Sequence, residues 1–329
     1  MASYIGGKKL TGQKRFPLVL MLEPLHACNL TCTGCGRIRE YETTIKQKLS
    51  LKECLDSVDE CGAPIVSICG GEPLIYPEIG PLVAGILRKR KHLYLCTNGM
   101  FIKKRLHEFR PTQRMFFNVH LDGLEQTHDR CVEREGVFRA AIEGIEAAKA
   151  AGFLVCTNTT IFKETNLDEI DALFAFLTKK GVDGFLLAPA YGYSAVHETN
   201  PNAAAEIFMT RDDVRAKFKE AQKLFKKYRL LSSPIYLEFL AGHRELTCTA
   251  WGNPTRNVLG WKGPCYLITD QHHATFQDLM DKTPWENYGY GKDPRCEHCL
   301  MHCGYEPSAA LGVNARLGDT LKMLAWQFS

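Results

Sequence analysis

Long apolar runs are scarce in this sequence. The run Phe16–Leu22 near the N-terminus stops at Glu23-Pro24, well short of the roughly 20 residues that cross a bilayer. It follows Lys8, Lys9, Lys14 and Arg15 but leads to no small-residue cleavage site, so it reads as a first strand and not as a secretory signal. Charge of one sign is scarce as well: 41 basic against 37 acidic residues leave a net charge of +4. That is too weak a balance to argue for nucleic acid. No short-period repeat and no low-complexity stretch interrupts the chain. With 45% hydrophobic and 24% charged residues, the composition is that of an ordinary globular protein. A chain of 329 residues then predicts one large domain, or one plus a small appendage.

Cysteine, in contrast, is abundant at 14 residues. Without a secretory signature the expected compartment is the cytoplasm, where thiols stay reduced and serve as metal ligands or core residues. Cys54, Cys61, Cys69, Cys131 and Cys156 read as buried core thiols.

Strand-like and helix-like segments alternate from residue 16 to about 233. The expected strands are Phe16–Leu25, Ile65–Cys69, Leu93–Cys96, Met115–Leu121, Phe153–Ile161 and Gly184–Ala188. Between them, Ser50-Leu51-Lys52-Glu53 reads as a capping box, and Asn166 and Thr210 as further helix caps. A long helix is expected over residues 211–229. Six such units predict an α/β fold with a parallel sheet and right-handed crossovers, and its chemistry at the carboxyl ends of the strands. The division expected is a basic tail over 1–15, the βα body over 16–233 and a cysteine-rich C-terminal domain over 234–329.

Cys28-Asn29-Leu30-Thr31-Cys32-Thr33-Gly34-Cys35 lies on the loop after the first strand. Its C-x3-C-x2-C spacing can hold three irons of a four-iron, four-sulfur (4Fe–4S) cluster and leave the fourth open to a small molecule. A zinc knuckle is the competing reading, but zinc in a closed site takes four protein ligands and only His26 is near. Gly70-Gly71-Glu72-Pro73 follows the second strand, where glycines let backbone approach a ligand. Thr97-Asn98-Gly99 and His120-Leu121-Asp122-Gly123 end the third and fourth strands, as turns or as ligand contacts. Asn118, Asn158 and Thr160 are weaker candidates, because a slip of one residue would turn them outward. Cys96 directly precedes Thr97-Asn98 at the expected mouth. Its weak S–H bond is suited to giving a hydrogen atom to a substrate radical. In the tail, Cys248, Cys265, Cys296, Cys299 and Cys303 form a second group, either a cluster site or a zinc staple.

C-x3-C-x2-C after a first strand, with Gly70-Gly71-Glu72-Pro73 one unit later, resembles the radical S-adenosylmethionine (SAM) superfamily. The resemblance implies an open, TIM-like partial (β/α)6 barrel and a 4Fe–4S cluster on Cys28, Cys32 and Cys35. It also implies SAM held through Gly70, Gly71, Glu72 and Pro73, with Asn98, His120, Asp122 and Asn158 near its ribose and carboxylate. The tail is similar to twitch/SPASM extensions, which hold auxiliary clusters. Its five thiols exceed the four ligand positions of one cluster and are too few for two.

Several stretches narrow the resemblance, among them Met21-Leu22-Glu23-Pro24-Leu25, Tyr94-Leu95-Cys96-Thr97-Asn98, Trp251–Val258 and Met301–Glu306. Together they look like the adenosylhopane synthases of bacterial hopanoid biosynthesis. That likeness implies a transferase that consumes SAM and adds its 5′-deoxyadenosyl radical to the terminal alkene of diploptene. It implies a hydrogen donor such as Cys96 and an electron donor such as flavodoxin or ferredoxin. It further implies an apolar cavity, for which Phe116, Phe117, Tyr191, Tyr193 and Leu240 are candidates, and peripheral contact with the inner face of the cell membrane. No nucleic-acid partner is expected. The alternative kept open is a SPASM-type peptide or small-molecule maturase acting by hydrogen abstraction.

Overall fold

Apolar runs of four to eight residues, too short for helices and rich in Val, Ile and Leu, pair side by side as the alternation predicts. The structure, a computed structural model, describes residues 1–327. β1 (Val19–Leu22), β2 (Ile65–Ile68), β3 (His92–Thr97), β4 (Met115–His120), β5 (Leu154–Ile161) and β6 (Gly184–Pro189) are neighbours in sequence order, and all are parallel. They form a partial barrel. The helices used below are α1 (Ala2–Leu10), α2 (Leu51–Cys61), α3 (Ile79–Arg88), α4 (Val137–Ala150), α5 (Leu167–Lys179), α6 (Arg211–Glu220), α7 (Gln222–Lys227), α8 (Pro234–Leu240), α9 (His302–Leu311) and α10 (Asp319–Gln327).

Local chemistry sets the helix ends. Ser50 Oγ accepts from the Glu53 amide and the Glu53 carboxylate accepts from the Ser50 amide, which opens α2. Gly62, at φ 68°, ends it in the left-handed conformation that glycine adopts without strain. Asn166 caps α5, and Thr210 with Asp213 caps α6. The single helix expected over 211–229 is instead two, α6 and α7, joined at Ala221. Outward apolar faces of β2–β5 meet α2–α5 in one continuous core that includes Leu82, Ile86, Phe117, Ile145 and Leu173.

The cysteine-rich segment extends the same sheet. β7 (Thr255–Asn257) adds parallel to β1 with Met21 opposite Thr255, and β8 (Gly260–Pro264) and β9 (Thr269–His273) follow antiparallel. At the other end of the chain, α1 occupies the basic stretch expected as a solvated tail. Tyr4 Oη donates to the Pro17 carbonyl at 2.9 Å and Lys9 Nζ to the Leu311 carbonyl at 2.8 Å, so long-range partners hold a segment that contains two glycines. Arg244 grips Asp319 with two hydrogen bonds of 2.8 Å and fixes the start of α10. Among the described residues no helix is long and apolar enough to cross a membrane.

Candidate active site

Because side chains alternate along a strand, each of β1–β6 turns every second residue inward. These residues line a cavity of about 1000 Å³ that runs the length of the strands. Cys28, Cys32 and Cys35 line it at the carboxyl end. Arg39 Nη1 donates to the carbonyl of Cys35 at 2.6 Å and to that of Cys32 at 3.2 Å, which shapes the loop. Burial, ahead of the mutual repulsion of the thiolates, raises Cys32, and raises Cys28 to about 12. The free thiols of Cys28 and Cys32 are therefore protonated at neutral pH and lose that proton on binding metal. His26 is not a fourth ligand. It is buried, stacked on Tyr41 with ring centroids 3.8 Å apart, and its Nδ1 lies 2.9 Å from Thr44 Oγ1. Among the described residues no three Cys, His, Asp or Glu side chains are gathered closely enough to hold a single ion.

The loop is braced by a residue that spacing does not reveal. Arg37 is 4% exposed; its Nε sits 3.2 Å from Glu23 Oε1, its Nη2 donates to the Tyr266 carbonyl at 2.6 Å, and its guanidinium lies 3.9 Å from the Tyr266 ring centroid. It therefore ties β1, the cysteine loop and the C-terminal segment together. An arginine two residues after the third cysteine was the available signal, but its partner 229 residues away was not.

Gly70-Gly71-Glu72-Pro73 lies against the backbone of that loop. The amide of Gly71 donates to the Leu25 carbonyl and that of Glu72 to the Ala27 carbonyl. Glu72 is buried, and its carboxylate accepts from Thr97 Oγ1 at 2.7 Å, from the Asn98 amide at 2.8 Å and from the Leu74 amide at 2.9 Å. Burial raises this carboxyl to about 6 against those three bonds. Glu72 thus locks the β2 and β3 loops together. Gly70, Gly71 and Glu72 line the cavity, whereas Pro73 starts a short 3-10 turn outside it.

Asn98, His120, Asp122 and Asn158 all reach the cavity, as do Asn118 and Thr160. Asn98 Nδ2 donates to Asn29 Oδ1 at 2.9 Å. Burial disfavours the charged imidazole of His120, yet the Asp122 carboxylate 2.7 Å away raises its pKa above the usual value. Asp122 also accepts from the Thr160 amide at 2.8 Å. The register places His120 opposite Asn158, so polar atoms of two strands meet in one layer.

One layer deeper is Cys96, opposite Asn118. Its Sγ lies 3.3 Å from Ser67 Oγ and 3.5 Å from Asn118 Nδ2. Burial raises its pKa, so the sulfur keeps its hydrogen. Ser67, the polar residue of an otherwise apolar strand, was legible only by that contrast. Of the aromatic candidates for the wall, Tyr191 and Tyr193 line the cavity. Phe117 and Leu240 belong to the core, and Phe116 stacks on Tyr94, because alternation sends Phe117 outward and the α8 packing takes Leu240.

Cys248, Cys265, Cys296, Cys299 and Cys303 line one small second cavity with Tyr191, Tyr288 and Tyr305. Burial raises Cys296 to about 11 and Cys299 to about 12. The five thiols share this cavity at a spacing too wide for a single ion, and their chemistry is that of cluster ligands. Gly260 turns the β7–β8 hairpin at φ 134°. Tyr191 lines both cavities and forms part of the wall between them.

Comparisons with known proteins agree with this geometry. Residues 22–177 match the profile of the Radical SAM superfamily, and residues 185–323 match a domain of unknown function, DUF3463. A GTP 3′,8-cyclase of Campylobacter fetus is 30% identical over 306 residues, covering 80% of this chain and 90% of that protein. An AdoMet-dependent heme synthase of Methanosarcina barkeri is 28% identical over 269 residues, covering 76% and 74%. The crystal structure of Streptococcus suis SuiB bound to its precursor peptide SuiA shares the fold at a TM-score of 0.65 and 16% identity, covering 91% of this chain and 74% of that one.

Proposed function

The chain belongs to the radical SAM superfamily, and on that premise we propose that it adds the 5′-deoxyadenosyl radical of SAM to the terminal alkene of diploptene, forming adenosylhopane. The superfamily's 4Fe–4S cluster fits Cys28, Cys32 and Cys35, three thiols at the cavity edge; Cys131, whose carbonyl accepts from the Thr33 amide of that loop, lines the same cavity. When bound, the cluster supplies the single electron that opens the SAM sulfonium.

The observation that carries the reading is the order of groups along one cavity. Thiols and polar side chains sit at the carboxyl ends of the strands, Cys96 sits midway, and the amino half sets apolar side chains such as Ile5, Leu230, Leu311 and Met323 beside Arg229, Arg244, Glu306 and Asp319. Gly70, Gly71 and Asn98 frame the methionine end of SAM, and His120, Asp122 and Asn158 frame the adenosine. A hydrocarbon in the amino half brings its alkene carbon up to the adenosyl carbon. The new C–C bond consumes the alkene π bond and leaves a tertiary carbon radical beside Cys96. Cys96 S–H gives its hydrogen atom to that carbon. The sulfur radical so formed takes one electron from the reductant, flavodoxin or ferredoxin, and one proton from solvent. Tyr191 and Tyr193 keep water from the reacting carbons.

The division into a barrel over 16–233 and a cysteine-rich domain over 234–329, with four of the five tail thiols holding an auxiliary cluster, belongs to the same proposal. The test is anaerobic incubation with SAM, a reductant and diploptene, followed by mass analysis. An adduct of the adenosyl group and the hydrocarbon is expected. Free 5′-deoxyadenosine alone would overturn the addition and favour hydrogen abstraction from a peptide or small molecule. The fold shared with a peptide-bound SuiB makes that the second reading.

A further inference from the structure

The two ends of the cavity differ in character. Val19 and Ile65, the first residues of β1 and β2, line it, and so do Cys69 and Asn98 beyond the ends of β2 and β3. The space therefore passes through the barrel. At the amino end the wall comes from Ile5 of α1, Leu230, Leu311 of α9, and Met323 and Leu324 of α10.

Around this second mouth the surface is unusual. Among the described residues seven large apolar side chains are exposed, and five of them belong to this rim: Met1 at 41%, Leu10 at 91%, Leu317 at 108%, Leu321 at 72% and Leu324 at 42%. Met1 and Leu324 line the cavity as well as facing solvent. Leu321 is one helical turn before Leu324 on α10, so the two share a side of that helix. Solvated apolar groups gathered in this way mark a surface that is covered in use.

Charge identifies what covers it. In a parallel barrel the helices run back against the strands, so their C-termini reach the same face as the amino-end mouth. Arg88 and Arg90 at the end of α3, Arg110 before β4, Lys179 at the end of α5 and Lys226 in α7 are exposed. None of the five has an acidic partner within 4.0 Å among the described residues. Arg229 is exposed at the cavity itself. Apolar side chains at a mouth, ringed by unpaired cations, match the layered chemistry of an anionic membrane surface.

We propose that this face docks on an anionic lipid bilayer, with Leu10, Leu317, Leu321 and Leu324 sunk among the headgroups, and that the mouth between α1 and α10 draws an apolar substrate directly from the lipid. The docking rests on the surface itself; the delivery of substrate rests on the hydrocarbon reading given above. SAM and substrate then arrive from opposite ends of the barrel and meet at Cys96.

The test is sedimentation of the full chain, cluster-loaded, with phosphatidylcholine vesicles containing or lacking phosphatidylglycerol. Binding to the anionic vesicles is expected, weakening as salt is raised. Leu317→Ser/Leu321→Ser and, separately, Arg90→Glu/Lys226→Glu should each reduce it by roughly tenfold or more. Neither pair touches the thiols or polar groups of the site, so 5′-deoxyadenosine release without substrate should match wild type. If the leucine pair fails to fold, the charge pair still decides. Absence of vesicle binding, or binding untouched by both variants, overturns the docking. So does a dimer in analytical ultracentrifugation that dissociates in Leu317→Ser/Leu321→Ser, because a second copy would then cover the leucines. Turnover of diploptene in detergent micelles separates the two readings. If it proceeds while vesicle binding fails, only the docking falls; if it is absent while binding persists, the docking stands and the substrate reading falls.

Discussion

The Sγ of Cys96 lies 3.3 Å from the Oγ of Ser67, one strand away. Both side chains face the cavity midway along the strands. Because Asn118 Nδ2 is placed to donate to the same sulfur, the Cys96 hydrogen is free to point at Ser67 or into the cavity. Cys96→Ala should therefore leave SAM cleavage intact and stop the final hydrogen transfer, so that the adduct disappears or is diverted. Ser67→Ala removes one neutral hydrogen bond worth about 1 kcal/mol and should slow quenching by roughly fivefold. Deuterium incorporation from solvent-exchanged thiol, read by mass, checks both. Full yield of undiverted product from Cys96→Ala would remove the donor role.

The two thiol groups should be separable by metal content. Cys28→Ala, Cys32→Ala or Cys35→Ala should abolish SAM cleavage and lower, but not eliminate, absorbance near ~400 nm, since the tail sulfurs are untouched. Oxygen-free protein should hold about eight irons per chain if the tail carries a cluster, and about four irons plus one zinc if the tail is only stapled. Elemental analysis decides. Pairwise replacement among Cys248, Cys265, Cys296, Cys299 and Cys303 should show which of the five sulfurs is dispensable.

Much of this arrangement was legible before any coordinates. The caps at Ser50, Asn166 and Thr210 and the six apolar runs place the parallel strands, and the strands place Cys28, Glu72, Asn98 and His120 at one end. What escaped were partnerships between distant segments. β7 is only Thr255-Arg256-Asn257, with no apolar alternation to mark it as a strand, and it exists because the edge of β1 offers unpaired backbone. α1 contains Gly6 and Gly7, poor helix residues, and is held by Pro17 and Leu311. Arg37 works as a brace only through Glu23 and Tyr266. Residue pattern encodes local form; these three depend on contacts that only the closed fold supplies.

Glu306 predicts a pH dependence. It lines the cavity, is held by the Ser233 amide at 2.8 Å, and burial raises its carboxyl from 4.5 to about 7. A folded-state pKa above the unfolded one means the folded chain holds the proton more tightly. Stability is then fully present below pH 4.5 and declines as the pH rises toward 7. The loss above that window should be on the order of 3 kcal/mol. Glu306→Gln keeps the acceptor for Ser233 and removes the titration. It should therefore melt higher than wild type at pH 8 by a few degrees and match it near pH 5. Thermal denaturation at the two values checks this, and an equal difference at both would show that the carboxyl does not titrate across the window.

Gly71 sets the separation between the Glu72 loop and the cysteine loop. A Cβ built there would collide with the carbonyl oxygen and carbon of Ala27 and the carbonyl oxygen of His26, all backbone atoms. No rotamer change can relieve that clash, so Gly71→Ala must push the two loops apart. Cys28 is the residue after Ala27, and the displacement passes directly to the first thiol. Overpacking of this kind costs about 1–3 kcal/mol, less than the stability of an ordinary domain, so the variant should fold. A shift of about an ångström between reacting groups can lower a rate by roughly a hundredfold. Gly71→Ala should then show an unchanged far-ultraviolet circular dichroism spectrum and 5′-deoxyadenosine release reduced to about a hundredth. Gly62→Ala is the control. It meets open space and bears only the strain of its positive φ, so it should lose stability without losing SAM cleavage. If Gly71→Ala cleaves SAM at the wild-type rate, the close approach of the two loops does not position the thiols.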